Sequence, residues 1–226
     1  MISELMVSSL PGLTGAQCAQ FDRYYDMLTD WNSRMNLTAI TDIEGVAQKH
    51  FLDSVLPIAL IPHGARVVDV GTGAGFPGVP IKIVRPDIKL TLVDSLNKRV
   101  SFLKALADEL HIEADCIHSR AEDIGRGPLR ASFDIALTRA VAGVSPLLEY
   151  TLPLLRVGGA SLMYKGPQAQ AELSAAKNAL TIMHTRADMQ RFEAEWGERC
   201  VIRAVKLAPT DKRYPRKAGT AERDPL

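Results

Sequence analysis

The residues best suited to chemistry lie in one segment, Asp69-Val70-Gly71-Thr72-Gly73-Ala74-Gly75-Phe76-Pro77-Gly78. Glycines let a backbone turn sharply and come close to a ligand, and such a loop opening a helix presents free N–H groups. Read from Gly73, the segment also satisfies G-x-G-x-x-G, the pattern of dinucleotide sites. A second carboxylate, Asp94, ends the run Lys89-Leu90-Thr91-Leu92-Val93 about twenty residues further on, where an acid accepts hydrogen bonds from both ribose hydroxyls. A ligand built on a nucleoside is implied, and both NAD and S-adenosylmethionine meet the requirement. Ala121-Glu122-Asp123, after a third strand-like run at 115–118, stands where a methyltransferase meets the adenine. No second glycine-bearing half follows Asp94, which favours S-adenosylmethionine. The plain alternatives are a tight turn without a ligand and, for Glu122 and Asp123, the capping of a helix.

These residues need elements to hold them. Arg66-Val67-Val68-Asp69-Val70 is short, β-branched and ended by glycines, as a strand buried on both faces of a parallel sheet should be. From there strand-like runs at 66–70, 89–93, 115–118, 133–137 and 159–164 alternate with helical ones near 77–85, 97–110 and 144–155. This alternation predicts an α/β fold, a doubly wound and mostly parallel sheet. Two helices precede it. Thr14 with Gln17 reads as a capping box for a helix over 15–33, with Cys18, Phe21, Tyr25, Leu28 and Trp31 at helical spacing; Thr41 with Glu44 repeats the signature before Val46, Phe51 and Val55. After Gly166 a helix over 167–180 is expected. The stretch 181–200 is ambiguous, and 201–207 alternates like a strand at the sheet's far edge. Residues 1–62 thus read as a helical extension packed on a core of 63–208, with 209–226 a basic loop or mobile arm.

Composition narrows the class without naming a partner. The 226 residues are 46% hydrophobic and 23% charged, as in ordinary globular proteins. With 27 Lys plus Arg against 26 Asp plus Glu, any case for nucleic acid must come from local clustering. Cys18, Cys116 and Cys200 are odd in number and far apart, fitting neither a disulfide framework nor a zinc knuckle. No stretch approaches the roughly 20 apolar residues that span a bilayer. A cytoplasmic protein without a membrane partner is expected. The five histidines show no ligand spacing, so no metal is expected either.

Further motifs stand in a fixed order: Trp31-Asn32, Met35-Asn36-Leu37-Thr38-Ala39-Ile40, His50-Phe51-Leu52-Asp53-Ser54, the glycine loop, Leu92-Val93-Asp94-Ser95 with Lys98-Arg99, Thr138-Arg139-Ala140-Val141-Ala142, Lys165-Gly166 and Arg213-Tyr214-Pro215-Arg216-Lys217. In this combination the chain resembles the ribosomal RNA small subunit methyltransferase G family, also called the glucose-inhibited division protein B family, from about residue 21 to 219. The resemblance implies a Rossmann-like class I methyltransferase that uses S-adenosylmethionine to methylate the N7 atom of a guanine in 16S rRNA, free or within the 30S subunit or an assembly intermediate. It implies cofactor contacts from Gly71, Gly73, Phe76, Asp94, Ala121, Glu122 and Arg139. The ending Ala221-Glu222-Arg223-Asp224-Pro225-Leu226 departs from the family's simpler basic Pro-Leu terminus.

Guanine N7 carries an in-plane lone pair and loses no proton on methylation, so alignment suffices and no general base is needed. Arg139, just past the fourth strand at the sheet's carboxyl edge, is the one candidate for a catalytic part, against an ion pair with Asp69 or Glu122. His50 and Asp53, three apart on a helix, are as well explained by packing over the cleft and stay outside the catalytic set. Candidates to neutralise RNA phosphates are Lys98, Arg99, Lys165, Arg213, Arg216 and Lys217, each with a reading as solvated surface. Replacing Arg213 and Arg216 by Ala is expected to weaken RNA methylation and leave cofactor affinity unchanged. The rival readings are a methyltransferase for a small molecule or protein, a nucleotide-holding module without catalysis, and an NAD-dependent oxidoreductase. A monomer is expected, since no unexplained apolar helix face stands out.

Overall fold

The computed structural model describes residues 1–226. Its strands are β1 Arg66–Val70, β2 Lys89–Asp94, β3 Ala114–His118, β4 Phe133–Arg139, β5 Leu155–Lys165, β6 Thr185–Phe192 and β7 Arg199–Lys206. They form one seven-stranded sheet of order β3-β2-β1-β4-β5-β7-β6. The first five are parallel, while β7 runs antiparallel to both β5 and β6. Chain order reverses between β1 and β4, and in open α/β sheets the ligand crevice lies outside the carboxyl ends of the strands at that point.

Before β1 come α1 Ile2–Ser9, α2 Gly15–Met35, α3 Ile43–Val46 and α4 Asp53–Val55, the last two joined by a π-helical turn, Ala47–Leu52. α5 Gly78–Val84, α6 Asn97–Glu109, α7 Ala121–Arg126 and α8 Val144–Thr151 connect the parallel strands; α9 Ala169–Ala175 and α10 Lys177–Ile182 lie between β5 and β6, and α11 Thr220–Arg223 is in the tail. The predicted capping box is present, with Thr14 N donating to Gln17 Oε1 (2.9 Å) and Gln17 N to Thr14 Oγ1 (3.3 Å). The next helix is capped by Asp42 rather than Thr41, its Oδ1 accepting from Gly45 N at 2.7 Å.

The sheet divides two cores. Successive residues of a strand point to opposite faces, so Val67 packs with Ile2, Met6, Phe21, Tyr24 and Phe51 of the N-terminal helices, while Val68 packs with Leu147 and Leu148 of α8, Ala179 of α10 and, from the tail, Tyr214 and Ala221. Each such large apolar side chain withdrawn from water stabilises the fold by about 1.5–3 kcal/mol.

Several expectations are corrected. α1 precedes the two predicted helices; its eight residues are too few for a clear period, and Ile2 and Met6 supply its buried face. The expected far edge strand is β7, which is interior, and the edge is β6 from the ambiguous stretch, whose polar residues face water. The predicted helix 167–180 breaks at Ala176 into α9 and α10. The tail is no mobile arm: Tyr214 and Ala221 are buried, and Arg130 donates to the carbonyls of Thr210 (2.8 Å), Asp211 (3.1 Å) and Tyr214 (2.7 Å). No helix is long and apolar enough to cross a membrane.

Candidate active site

At the end of β1 the fully buried Asp69 shapes the glycine loop. Its Oδ2 accepts from Thr72 Oγ1 at 2.7 Å and from Gly78 N at 2.8 Å. Burial pushes its pKa up to about 6 against the pull of these hydrogen bonds, and its Oδ1 has no partner. Gly71 has φ +72°, and a Cβ there would lie 2.7 Å from Val141 Cγ2, so both conformation and space demand glycine. Asp94, at the end of β2, ties this loop to the next: Oδ2 accepts from Gly73 N at 2.9 Å and Oδ1 from Leu96 N at 2.9 Å.

Two clefts meet at Gly71. The smaller, about 150 Å³, runs past Asp94, Ala121, Glu122 and Tyr150. Its outer wall is the tail, since Gly219 N donates to Glu122 Oε1 (3.0 Å) and Tyr150 Oη to Glu222 Oε1 (3.2 Å). The larger, about 470 Å³, is bounded by Gly73, Phe76, Thr38, His50 and Arg139. All seven residues expected to touch a cofactor therefore line one or the other cleft.

The N-terminal segment roofs the larger cleft. α2 ends at Asn36 in the left-handed conformation (φ 50°), and Thr38 N donates to Asn32 Oδ1 (2.8 Å), folding the chain back. Thr38 Oγ1 then lies 2.7 Å from His50 Nε2, and the His50 ring stacks on Phe76 with centroids 4.6 Å apart. Burial, with the Arg139 cation nearby, holds His50 down to about 4, so at neutral pH it is uncharged. Tyr24 Oη donates to Ala74 O at 2.6 Å, fastening α2 to the glycine loop.

Arg139 sits 4.9 Å over the Phe76 ring. Its ion-pair partner is Asp53, at 3.3 Å, in place of the Asp69 or Glu122 considered from sequence. All its contacts with protein acceptors are made by NH1, at 3.3–3.5 Å, which leaves NH2 and Nε free for a ligand. Asp53 also accepts from Arg199 Nε at 2.8 Å, so one carboxylate holds two cations at the cleft. Sequence reasoning missed Arg199, 146 residues from Asp53, for which only the fold supplies a signal.

The candidate phosphate-binding cations separate into two groups. Lys98, Arg213 and Lys217 are exposed, although Arg213 lies 3.3 Å from Asp211. Arg99 is half-buried, 3.5 Å from Asp94 in the crevice. The Lys165 side chain is largely buried and pairs with Glu172 (2.8 Å). Arg216 meets both oxygens of the buried Glu149 at 2.8–3.1 Å, so its charge is spent inside the protein.

The model of rRNA small subunit methyltransferase G matches residues 17–199. The chain belongs to that family. It is 45% identical over 219 residues to ribosomal RNA small subunit methyltransferase G of Desulfitobacterium hafniense, covering 95% of this chain and 91% of that protein. Against the protein of the same description from Lactobacillus delbrueckii subsp. bulgaricus, identity is 46% over 225 residues, 95% of this chain and 93% of that one. Solved structures share the fold at low identity. A methyltransferase from Pyrococcus furiosus aligns with TM-score 0.57 and 12% identity over 84% of this chain and 98% of its own, and a SAM-dependent methyltransferase from Aquifex aeolicus with TM-score 0.53 and 17% identity over 71% and 93%.

The crevice of this methyltransferase G family member fits S-adenosylmethionine, the methyl donor that the resemblance implies. Asp94 is a buried carboxylate with one protein donor on each oxygen and lone pairs to spare, suited to ribose hydroxyls. Gly71 lets the backbone approach where the clefts meet, and Arg139 offers free donors suited to a carboxylate.

Proposed function

We propose that this S-adenosylmethionine-dependent rRNA methyltransferase places its methyl group on the N7 atom of a guanine in 16S rRNA. The observation that carries this reading is the family match over residues 17–199 together with a crevice in which the Asp53 carboxylate is engaged by Arg139 and Arg199 and the His50 ring by Thr38, so neither stands free as a base. The cofactor supplies an electrophilic methyl on a sulfonium that leaves as a thioether. Guanine N7 attacks with its lone pair and surrenders no proton. What the chain must do is hold the two in line, which can be worth about 7–11 kcal/mol.

The residues divide that task. In this reading Asp94 and Glu122 hold the adenosine end and Arg139 the other, a reading supported by their place in the two clefts and by Phe76 stacked beneath the guanidinium. Neutral His50 closes the roof without adding charge next to Arg139. The exposed cations Lys98, Arg213 and Lys217 are left to meet phosphates. We further infer that the enzyme works in the cytoplasm as a monomer, on 16S rRNA alone or in a 30S particle. Apart from Met1, Leu5 and Val7 at the N-terminal helix, its exposed large apolar side chains are isolated ones between Ile43 and Leu207, which supports a monomer.

The test is transfer of labelled methyl from S-adenosylmethionine to total RNA, 16S rRNA and 30S particles from a strain lacking the protein, followed by nucleoside analysis. Label is expected as 7-methylguanosine in 16S rRNA or the particle. Label at another atom of the rRNA would refute the N7 assignment. No labelled RNA despite bound cofactor would point to a small-molecule or protein acceptor.

A further inference from the structure

A third cleft, of about 410 Å³, opens beside the cofactor crevice, and Asp53, Arg139, Ala140 and Arg199 line both. Its volume falls in the range of small-ligand sites and suits a nucleoside. Its far wall carries Lys165, at the end of β5, and Glu172, on α9. The Lys165 side chain is 8% exposed, and its Nζ donates to Ala142 O at 2.5 Å and to Glu172 Oε2 at 2.8 Å. An ammonium has three N–H groups, so one remains. Glu172 is partly exposed, and its Oε1 receives no protein donor.

We propose that the Lys165–Glu172 pair reads the Watson–Crick edge of the acceptor guanine drawn into this cleft, an assignment that rests on the guanine-N7 reading above. Guanine presents there an acceptor, O6, beside two donors, N1–H and N2–H. The spare N–H of Lys165 matches O6, and the Glu172 carboxylate matches the two donors. N7 lies on the other, Hoogsteen edge and stays free for the methyl. Adenine reverses the pattern: its N6 amino group would face the ammonium and its N1 lone pair the carboxylate, so the pair rejects adenine as well as accepting guanine. A base read this way must leave its stack, as bases do in enzymes that act on them and as single-stranded loops of RNA permit. The largely buried side chain of Lys165, poor for reaching a phosphate, suits this task.

The test uses the full-length enzyme and 30S particles reconstituted with 16S rRNA in which the target guanine, located by mass mapping of the wild-type product, is kept or replaced alone by inosine, which lacks the 2-amino group. Wild-type enzyme is expected to methylate inosine about ten- to a hundredfold more slowly in kcat/KM. Glu172→Gln and Glu172→Ala should slow methylation of guanosine by a similar factor and bring the guanosine-to-inosine ratio towards one, with S-adenosylmethionine affinity by calorimetry unchanged. Lys165→Met should slow both substrates alike, because inosine keeps O6. A wild-type ratio near one, or a ratio that neither Glu172 variant alters, overturns the cleft assignment while 7-methylguanosine in the wild-type product leaves the N7 reading standing. A wild-type product other than 7-methylguanosine overturns both.

Discussion

The strand ends that carry Asp69 and Asp94 and the C-terminal tail line the same crevice, yet they are built in opposite ways. The first region is local: Asp69 Oδ2 accepts from Thr72 and Gly78, three and nine residues away, and Asp94 accepts from Gly73 and Leu96. The tail is held by partners far along the chain, Arg216 by Glu149 across 67 residues and Gly219 by Glu122 across 97. A cofactor cradle can therefore be encoded in one short segment, while the wall opposite it depends on everything between.

The largest expected effect breaks the tail. Arg216→Ala leaves Glu149, 1% exposed, as a buried carboxylate without its cation. Removing one partner of such a pair costs about 3–5 kcal/mol, so the denaturant midpoint should fall sharply. Because the tail walls the smaller cleft through Gly219 and Glu222, affinity for the cofactor proposed to lie there should weaken too. This departs from the expectation from sequence that replacing Arg213 and Arg216 by Ala leaves cofactor affinity unchanged. An Arg216→Ala protein with wild-type stability and cofactor binding would remove the tail from the site.

Next comes Asp69, which tests how far the local region determines its own protonation. Its folded pKa of about 6 lies above the ordinary 3.8, so folding favours the protonated form and stability falls as pH rises from about 4 to about 6, by about 3 kcal/mol. His50 acts in the opposite sense: held down to about 4 from 6.5, it costs stability as pH falls through the same window. Asp69→Asn leaves only the second effect. Its stability, followed by urea unfolding between pH 4 and 7, should drop on acidification more steeply than that of the wild type; parallel curves would mean that Asp69 titrates normally.

Asp94→Ala removes the acceptor for Gly73 N and Leu96 N as well as the carboxylate proposed to meet the ribose, and S-adenosylmethionine affinity by calorimetry should fall about ten- to a hundredfold. Retained affinity would mean that Glu122 and the tail hold the adenosine by themselves. The smallest effect is at Arg213. Exposed, paired with exposed Asp211 and lying 5.3 Å over the Tyr214 ring, it should lower stability by less than about 1 kcal/mol when changed to Ala, but the logarithmic salt slope of RNA binding should decrease by about one. An unchanged slope would leave Lys98 and Lys217 as the cations that meet phosphate.

Legibility followed sequence separation. The capping box of Thr14 and Gln17, the buried run Val67-Val68 and the glycine loop are each made within a few residues, so spacing alone identified them. Edge strand β6 was not legible, because one face of Thr185–Phe192 is solvated and its polar residues hide the alternation. The short α1, whose Ile2 and Met6 matter only against α2 and the helical turns around Ala47–Leu52, was hidden for a similar reason. Within the crevice Arg139 stood out by its position after β4, but its partner Asp53 and the second cation Arg199 did not, because β7 reaches that edge only by passing between β5 and β6.

The sequence by itself determined the alternating α/β plan, the glycine turn and the two carboxylates at adjoining strand ends, since backbone freedom and strand periodicity are properties of neighbouring residues. Tertiary structure alone decided which cations remain free. Lys98, Lys217 and Arg213 face water while Lys165 and Arg216 are turned inward onto Glu172 and Glu149. A charge acts on whatever the fold brings within a few ångströms, and that distance is not written in the spacing of residues along the chain.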